Sequence, residues 1–147
     1  MVFFGTLEVM KIGEMVNLTK AQLAKHVKKD LNMANNESKL QIECVKWFRL
    51  QYPKLTLFSV PNGGKRNALT ATILKREGAL AGVADLFLMY PSKTYHGLFI
   101  EMKFGKGVQS EAQKEFEKQC KLFGYKYELC YSFDDFVKII QDYLTTK

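Results

Sequence analysis

The chain has 147 residues, 47% of them hydrophobic and 25% charged, which suits one globular domain with its own core and leaves too little chain for two. No apolar run approaches the length of a membrane span, and Glu8 comes early with no basic stretch before it, so neither a membrane protein nor a signal peptide is expected. The net charge of +7 and a pI near 9.3 tilt the expected partner toward a polyanion.

In chain order, "NLTKAQLAKHVKKDL" places Leu23, Val27 and Leu31 at helical spacing, with Thr19 and Gln22 set for a capping box. Lys20, Lys25, Lys28 and Lys29 make this a solvated basic helix, a DNA-backbone contact or a partner helix. A second helix follows in "ESKLQIECVKWFRLQ", with Leu40, Cys44, Trp47 and Phe48 on one face and Pro53 beyond its end. "LTLFSV" reads as a strand and "PNGGKRN" as a loop. "ALTATILKREG" is a short helix stopped by Gly78. "ADLFLMY" and "GLFIEMKF" form an antiparallel hairpin across "PSKTYH". A helix from Ser110 to the Gly124 stop, the strand "YKYELCY", and a last helix capped by Ser132 complete the chain. This order predicts an α/β fold, a mixed central sheet flanked by helices. Residues 1–35 read as an N-terminal extension and 36–147 as the domain. Cys44, Cys120 and Cys130, with His26 and His96 alone beside them, point to buried free thiols rather than a zinc site.

Charges stand inside one of these core strands. Side chains alternate faces along a strand, so Phe99, Glu101 and Lys103 share one face, and Leu98, Ile100, Met102 and Phe104 the other. Pairing Phe87 with Phe99 sets Asp85 opposite Glu101, whereas a slip of one residue separates them. A solvent-facing salt pair is the bland alternative. Two carboxylates brought together repel unless a cation lies between them, and oxygen-only ligation suits Mg²⁺ or Mn²⁺ with substrate phosphate oxygens. Lys103 would then stabilise charge developing on a phosphodiester.

The stretches "ESKLQ", "PNGGKR", "LKREGALAGVADLFL", "GLFIEMK" and "SEAQ", over about residues 37–130, resemble the VRR-NUC (virus-type replication-repair nuclease) family of the PD-(D/E)XK superfamily. The resemblance implies a restriction-endonuclease-like core of helix, three strands, helix, strand. It implies Asp85, Glu101 and the backbone carbonyl of Met102 as metal ligands for Mg²⁺ or Mn²⁺, and Lys103 as the catalytic lysine. Glu37 matches a carboxylate approaching from the first helix, with Glu43 as second choice. Gln113 matches a glutamine of the second core helix, although Ser110 and Gln113 also spell a capping box. Ala84 stands where the superfamily's name has proline. In "NGGKR", Asn62, Lys65 and Arg66 suit either a loop binding phosphates or a plain turn; the lysine lacks the following Ser/Thr of a P-loop.

The expected activity is that of a metal-dependent DNA endonuclease acting on branched DNA, like Holliday-junction resolvases, in the cytoplasm of a bacterial or phage-infected cell. A homodimer is expected, because a four-way junction has two strands to cut. Phe3, Phe4, Leu7, Val9 and Met10 are available as an interface or fold back on the domain. The rival reading is a non-catalytic nucleic-acid-binding module on the same fold.

Overall fold

A computed structural model of the chain describes residues 20–61 and 68–145, and side chains over 36–61 and 70–145. Its elements, in chain order, are α1 (Lys20–Gln51), β1 (Leu57–Ser59), α2 (Ala68–Arg76), β2 (Leu86–Leu88), β3 (Leu98–Met102), α3 (Glu111–Leu122), β4 (Lys126–Cys130) and α4 (Phe133–Thr145). From "ESKLQ" onward this is the order expected of the sequence. The two helices expected before Pro53 are one: α1 passes through position 35 without a break. Its 32 residues contain neither glycine nor proline, so nothing local stops it.

The four strands lie in the order β1-β2-β3-β4. β2 pairs antiparallel with both β1 and β3, and β3 pairs parallel with β4, so the sheet is mixed. In the hairpin Phe87 lies opposite Phe99 and Leu86 opposite Ile100, the register that alternation predicts. One face buries Leu86, Leu88, Leu98, Ile100 and Met102 against Cys44 and Phe48 of α1 and Phe136, Ile140 and Tyr143 of α4. The Tyr143 hydroxyl, carried into this core, donates to the Tyr90 carbonyl at 2.7 Å. The opposite face stacks Phe99, Tyr125 and Tyr127 against Phe116 and Cys120 of α3. Burial on both faces explains why β3 reads as a continuous apolar run rather than an alternation.

The ends of α3 are set by local chemistry. Ser110 accepts from the Gln113 N–H at 3.3 Å while the Gln113 side chain accepts from the Ser110 N–H at 2.8 Å. At its other end Gly124 sits at φ 76, donating to Lys121, and Tyr125 donates to Cys120, the paired bonds of a Schellman motif. The chain thereby turns directly into β4. All three cysteines are free and buried, as expected, and hydrogen bonding to Cys130 followed by burial pushes the Cys44 thiol up. Ala84 is buried beside Cys120 and Tyr127. Among the described residues no helix is long and apolar enough to cross a membrane.

Gly82 fixes how α3 meets the loop ahead of Asp85. It adopts φ 88, and a Cβ there would overlap the Ala112 carbonyl in the first turn of α3. Gly82→Ala is therefore expected to destabilise the fold by roughly 2–4 kcal/mol, from left-handed strain plus overpacking. Urea denaturation gives the measure, and a change below about 0.5 kcal/mol would mean that α3 shifts freely.

Candidate active site

The charges on β3 are not solvated. Glu101 is 2% exposed and Lys103 0%, so an ion pair has been taken out of water. Removal from water costs several kcal/mol per ion unless attraction and hydrogen bonds offset it. The Lys103 ammonium lies 2.9 Å from Glu101 Oε1 and donates to Gln113 Oε1 at 3.0 Å. Gln113 Nε2 donates to the same Glu101 oxygen at 2.5 Å. Gln113, the third helical residue of the capping box, thus closes a triangle with the two charges, and its capping and site positions are held at once.

Coverage of Lys103 comes from the turn after β3. Gly107 N–H donates to the Phe104 carbonyl at 3.1 Å, and Gly107 packs so near that an added Cβ would lie 3.4 Å from Lys103 Cδ. Glu37 reaches over from α1, its Oε1 accepting from the Phe104 N–H at 3.3 Å. Glu43 is exposed and is not among the groups that shift the Glu101, Asp85 or Glu37 carboxyls. Seven residues return a helix to nearly the same face, so Glu37 shares the face of buried Cys44, a phase readable from the sequence.

Asp85, at the mouth of β2, accepts from the Met102 N–H through Oδ2 at 2.8 Å. In an extended strand the carbonyl of a residue faces the same edge as its N–H, so Met102 O is turned toward Asp85. Glu101 Oε2 is buried with no hydrogen-bond partner. Burial first, and then the Asp85 charge, raise the Glu101 carboxyl to about 7, with Lys103 opposing. Burial likewise raises Asp85 and Glu37. Such a site lacks positive charge at one place, the free oxygen of Glu101. Among the described residues no three His, Cys, Asp or Glu side chains stand close enough to hold a metal by themselves. Two carboxylates and a carbonyl, completed by water and phosphate oxygens, fit a hard divalent cation and would relieve the orphaned oxygen.

The sequence model of the VRR-NUC domain matches residues 25–134. The chain belongs to the VRR-NUC family. A solved structure described as a VRR_NUC domain protein is similar, with a TM-score of 0.63 and 25% identity over 76% of this chain and 89% of that one. No curated protein matches. The family is of the nuclease type, and its fold is the mixed sheet with flanking helices seen in this chain.

Of the residues singled out in the sequence, the VRR-NUC core thus gathers Glu37, Asp85, Glu101, Met102, Lys103 and Gln113 at the carboxyl ends of β3 and β4. Asn62, Lys65 and Arg66 lie outside the described residues, as do Thr19 and the apolar positions Phe3 to Met10. Two features are not evident from the sequence. Gly107, signalled only by "GKG" after the strand, packs beside the stem of the buried Lys103. Tyr127, on the Glu101 side of the sheet, has a buried hydroxyl raised by burial and by the Glu101 charge.

A carboxyl raised on folding holds its proton more tightly in the folded state, so stability falls as pH rises through the interval. For Glu101 that interval runs from 4.5 to about 7, and Asp85 and Glu37 shift in the same direction. The metal-free chain is expected to lose a few kcal/mol across it, at about 1.4 kcal/mol per pKa unit. Thermal melts should show a lower Tm at about pH 8 than at about pH 5, with Mg²⁺ or Mn²⁺ raising it more at the higher pH. A Tm independent of pH and of both ions would contradict the charge balance described.

Proposed function

We propose that the chain is a Mg²⁺- or Mn²⁺-dependent endodeoxyribonuclease that selects branched DNA. The observation that carries the reading is the unpartnered Glu101 oxygen, buried beside Asp85 and an ammonium held in a fixed position. Asp85, Glu101 and the Met102 carbonyl hold the ion. When bound, it supplies Lewis-acid polarisation of the scissile phosphate and makes water more acidic. The chain's own residues do the positioning. Lys103, fixed by Glu101 and Gln113, places its charge where the attacked phosphate becomes more negative. Gln113 orients both partners without adding charge. Glu37 bounds the pocket from the α1 side and, as a half-buried carboxyl with a raised pKa, is suited to accept a proton from the attacking water. Water attacks phosphorus in line, a P–O bond breaks, and the departing DNA oxygen takes a proton from solvent.

Asn62, Lys65 and Arg66 contact phosphates beside the site, and the +7 charge supplies the general attraction to DNA. Two chains act together on a four-way junction, since each chain has one such site and a junction has two strands to be cut. Residues 1–35 supply the interface and 36–147 the nuclease domain.

The deciding experiment is a cleavage panel of linear, flapped and four-way DNA with Mg²⁺, Mn²⁺ or Ca²⁺. Asp85→Asn and Glu101→Gln should abolish cutting while keeping fold and DNA binding. Lys103→Ala should lower turnover by about 10²–10³, the scale of losing one charge-stabilising donor. Undiminished cutting by the two carboxylate variants would sink the assignment, whereas binding with no cutting by the parent chain under any ion would favour the non-catalytic module. The Lys65→Ala/Arg66→Ala double variant should flatten the salt dependence of binding by roughly one to two units of slope. Light scattering at micromolar concentration should give twice the chain mass, and a monomer that still cuts junctions would remove the dimer.

A further inference from the structure

Beside the acidic site lies a second concavity that the nuclease chemistry leaves unused. It is a notch of about 340 Å³ bounded by Asn36, Lys39 and Leu40 of α1, by Phe104, and by Tyr131 and Phe133. Its aromatic walls are held open to solvent, with Phe104 38% and Tyr131 39% exposed, unlike the rings packed in the core. Both lie within two residues of the ends of the two parallel strands. Phe104 comes after Lys103 and gives its N–H to Glu37, while Tyr131 comes after Cys130, whose carbonyl accepts the Lys103 N–H at 2.8 Å. The notch and the acidic site therefore share a wall.

We propose that this notch takes one unpaired base of the DNA strand, stacked on Tyr131 and Phe104, next to the phosphate at the acidic site. The inference rests on the nuclease reading and gives its preference for branched DNA a physical basis. Paired, stacked bases cannot enter such a notch, whereas the bases at a branch point are already partly unstacked. Aromatic faces accept any base. The charges on the rim favour a nucleotide placed base-first. Lys39 offers a partner for the flanking phosphate, and Glu43, also lining the notch, accepts from an exocyclic amino group but repels a phosphate placed inside. Adenine, cytosine and guanine carry such amino groups and thymine does not, so thymine is the disfavoured occupant.

The test uses the full chain bearing Glu101→Gln, which binds without cutting, and a four-way junction carrying 2-aminopurine at the branch point. Binding should change the 2-aminopurine fluorescence through stacking on protein rings. Adding Tyr131→Ala should remove that change and lower the ratio of junction to duplex affinity by about tenfold, the scale of one base–aromatic stack. Tyr131→Phe should restore both. If the chain binds junctions but the fluorescence is the same with Tyr131, Phe or Ala at this position, the base site is overturned and the nuclease reading stands. The base site is overturned equally if Tyr131→Ala changes only Tm or oligomeric mass, since the notch is then covered by the chain's own N-terminal segment or by a second copy. Failure of the parent chain to bind or cut any DNA overturns both.

Discussion

The buried pair of Glu101 and Lys103 is the constraint around which the rest is arranged. An ion pair removed from water adds to stability only when its remaining lone pairs and protons are also satisfied. In this chain that demand falls on three separate pieces. The first turn of α3 supplies Gln113, the glycine turn after β3 closes over the lysine stem, and the Gly82 loop lets α3 approach. One oxygen of the pair is still left without a partner. Among the described residues that oxygen and the Tyr127 hydroxyl on the same face are the buried side-chain atoms without a partner, and a cation at the oxygen would relieve it.

Sheet topology decides where that oxygen lies. Because β3 and β4 are parallel, their carboxyl ends emerge side by side, and Lys103 and Phe104 meet the start of the segment leading into α4. Open sheets with parallel strands expose ligand sites at those ends, where the chain leaves the sheet and side chains are free of the ladder. The antiparallel hairpin then brings Asp85 back to the same edge from β2. Neither pairing alone would gather the set.

Much of this is legible in the residues. The length of the loop before "GLFIEMKF" and the charges are enough for the Phe87–Phe99 register, because a slip of one residue would put Asp85 on the face opposite Glu101. The caps at Ser110, Gly124 and Ser132 are equally direct, each being a side chain or glycine that bonds within its own few residues. What lies beyond reading is set at long range. Period-two alternation puts Glu101 and Lys103 on one face but does not say that a helix and a glycine turn cover it. The change of composition at position 35 suggests a boundary in α1, although no residue between 20 and 51 breaks a helix. The helical phase that sets Glu37 on the face of Cys44 is in the sequence, whereas its reach to the Phe104 N–H is not.

Glutamine at position 113 carries a consequence for what this position tolerates. In a capping box the third helical residue is as well served by glutamate, since either side chain accepts from the N-cap N–H. Glutamate would keep the helix start and keep the bond from Lys103, yet it would set a second anion against Glu101, already a reluctant ion. An amide presents opposite polarity at its two ends, taking a hydrogen bond from the ammonium with one and giving one to the carboxylate with the other. The exchange of a single oxygen for an NH₂ group therefore separates a helix cap that suits this neighbourhood from one that would work against it.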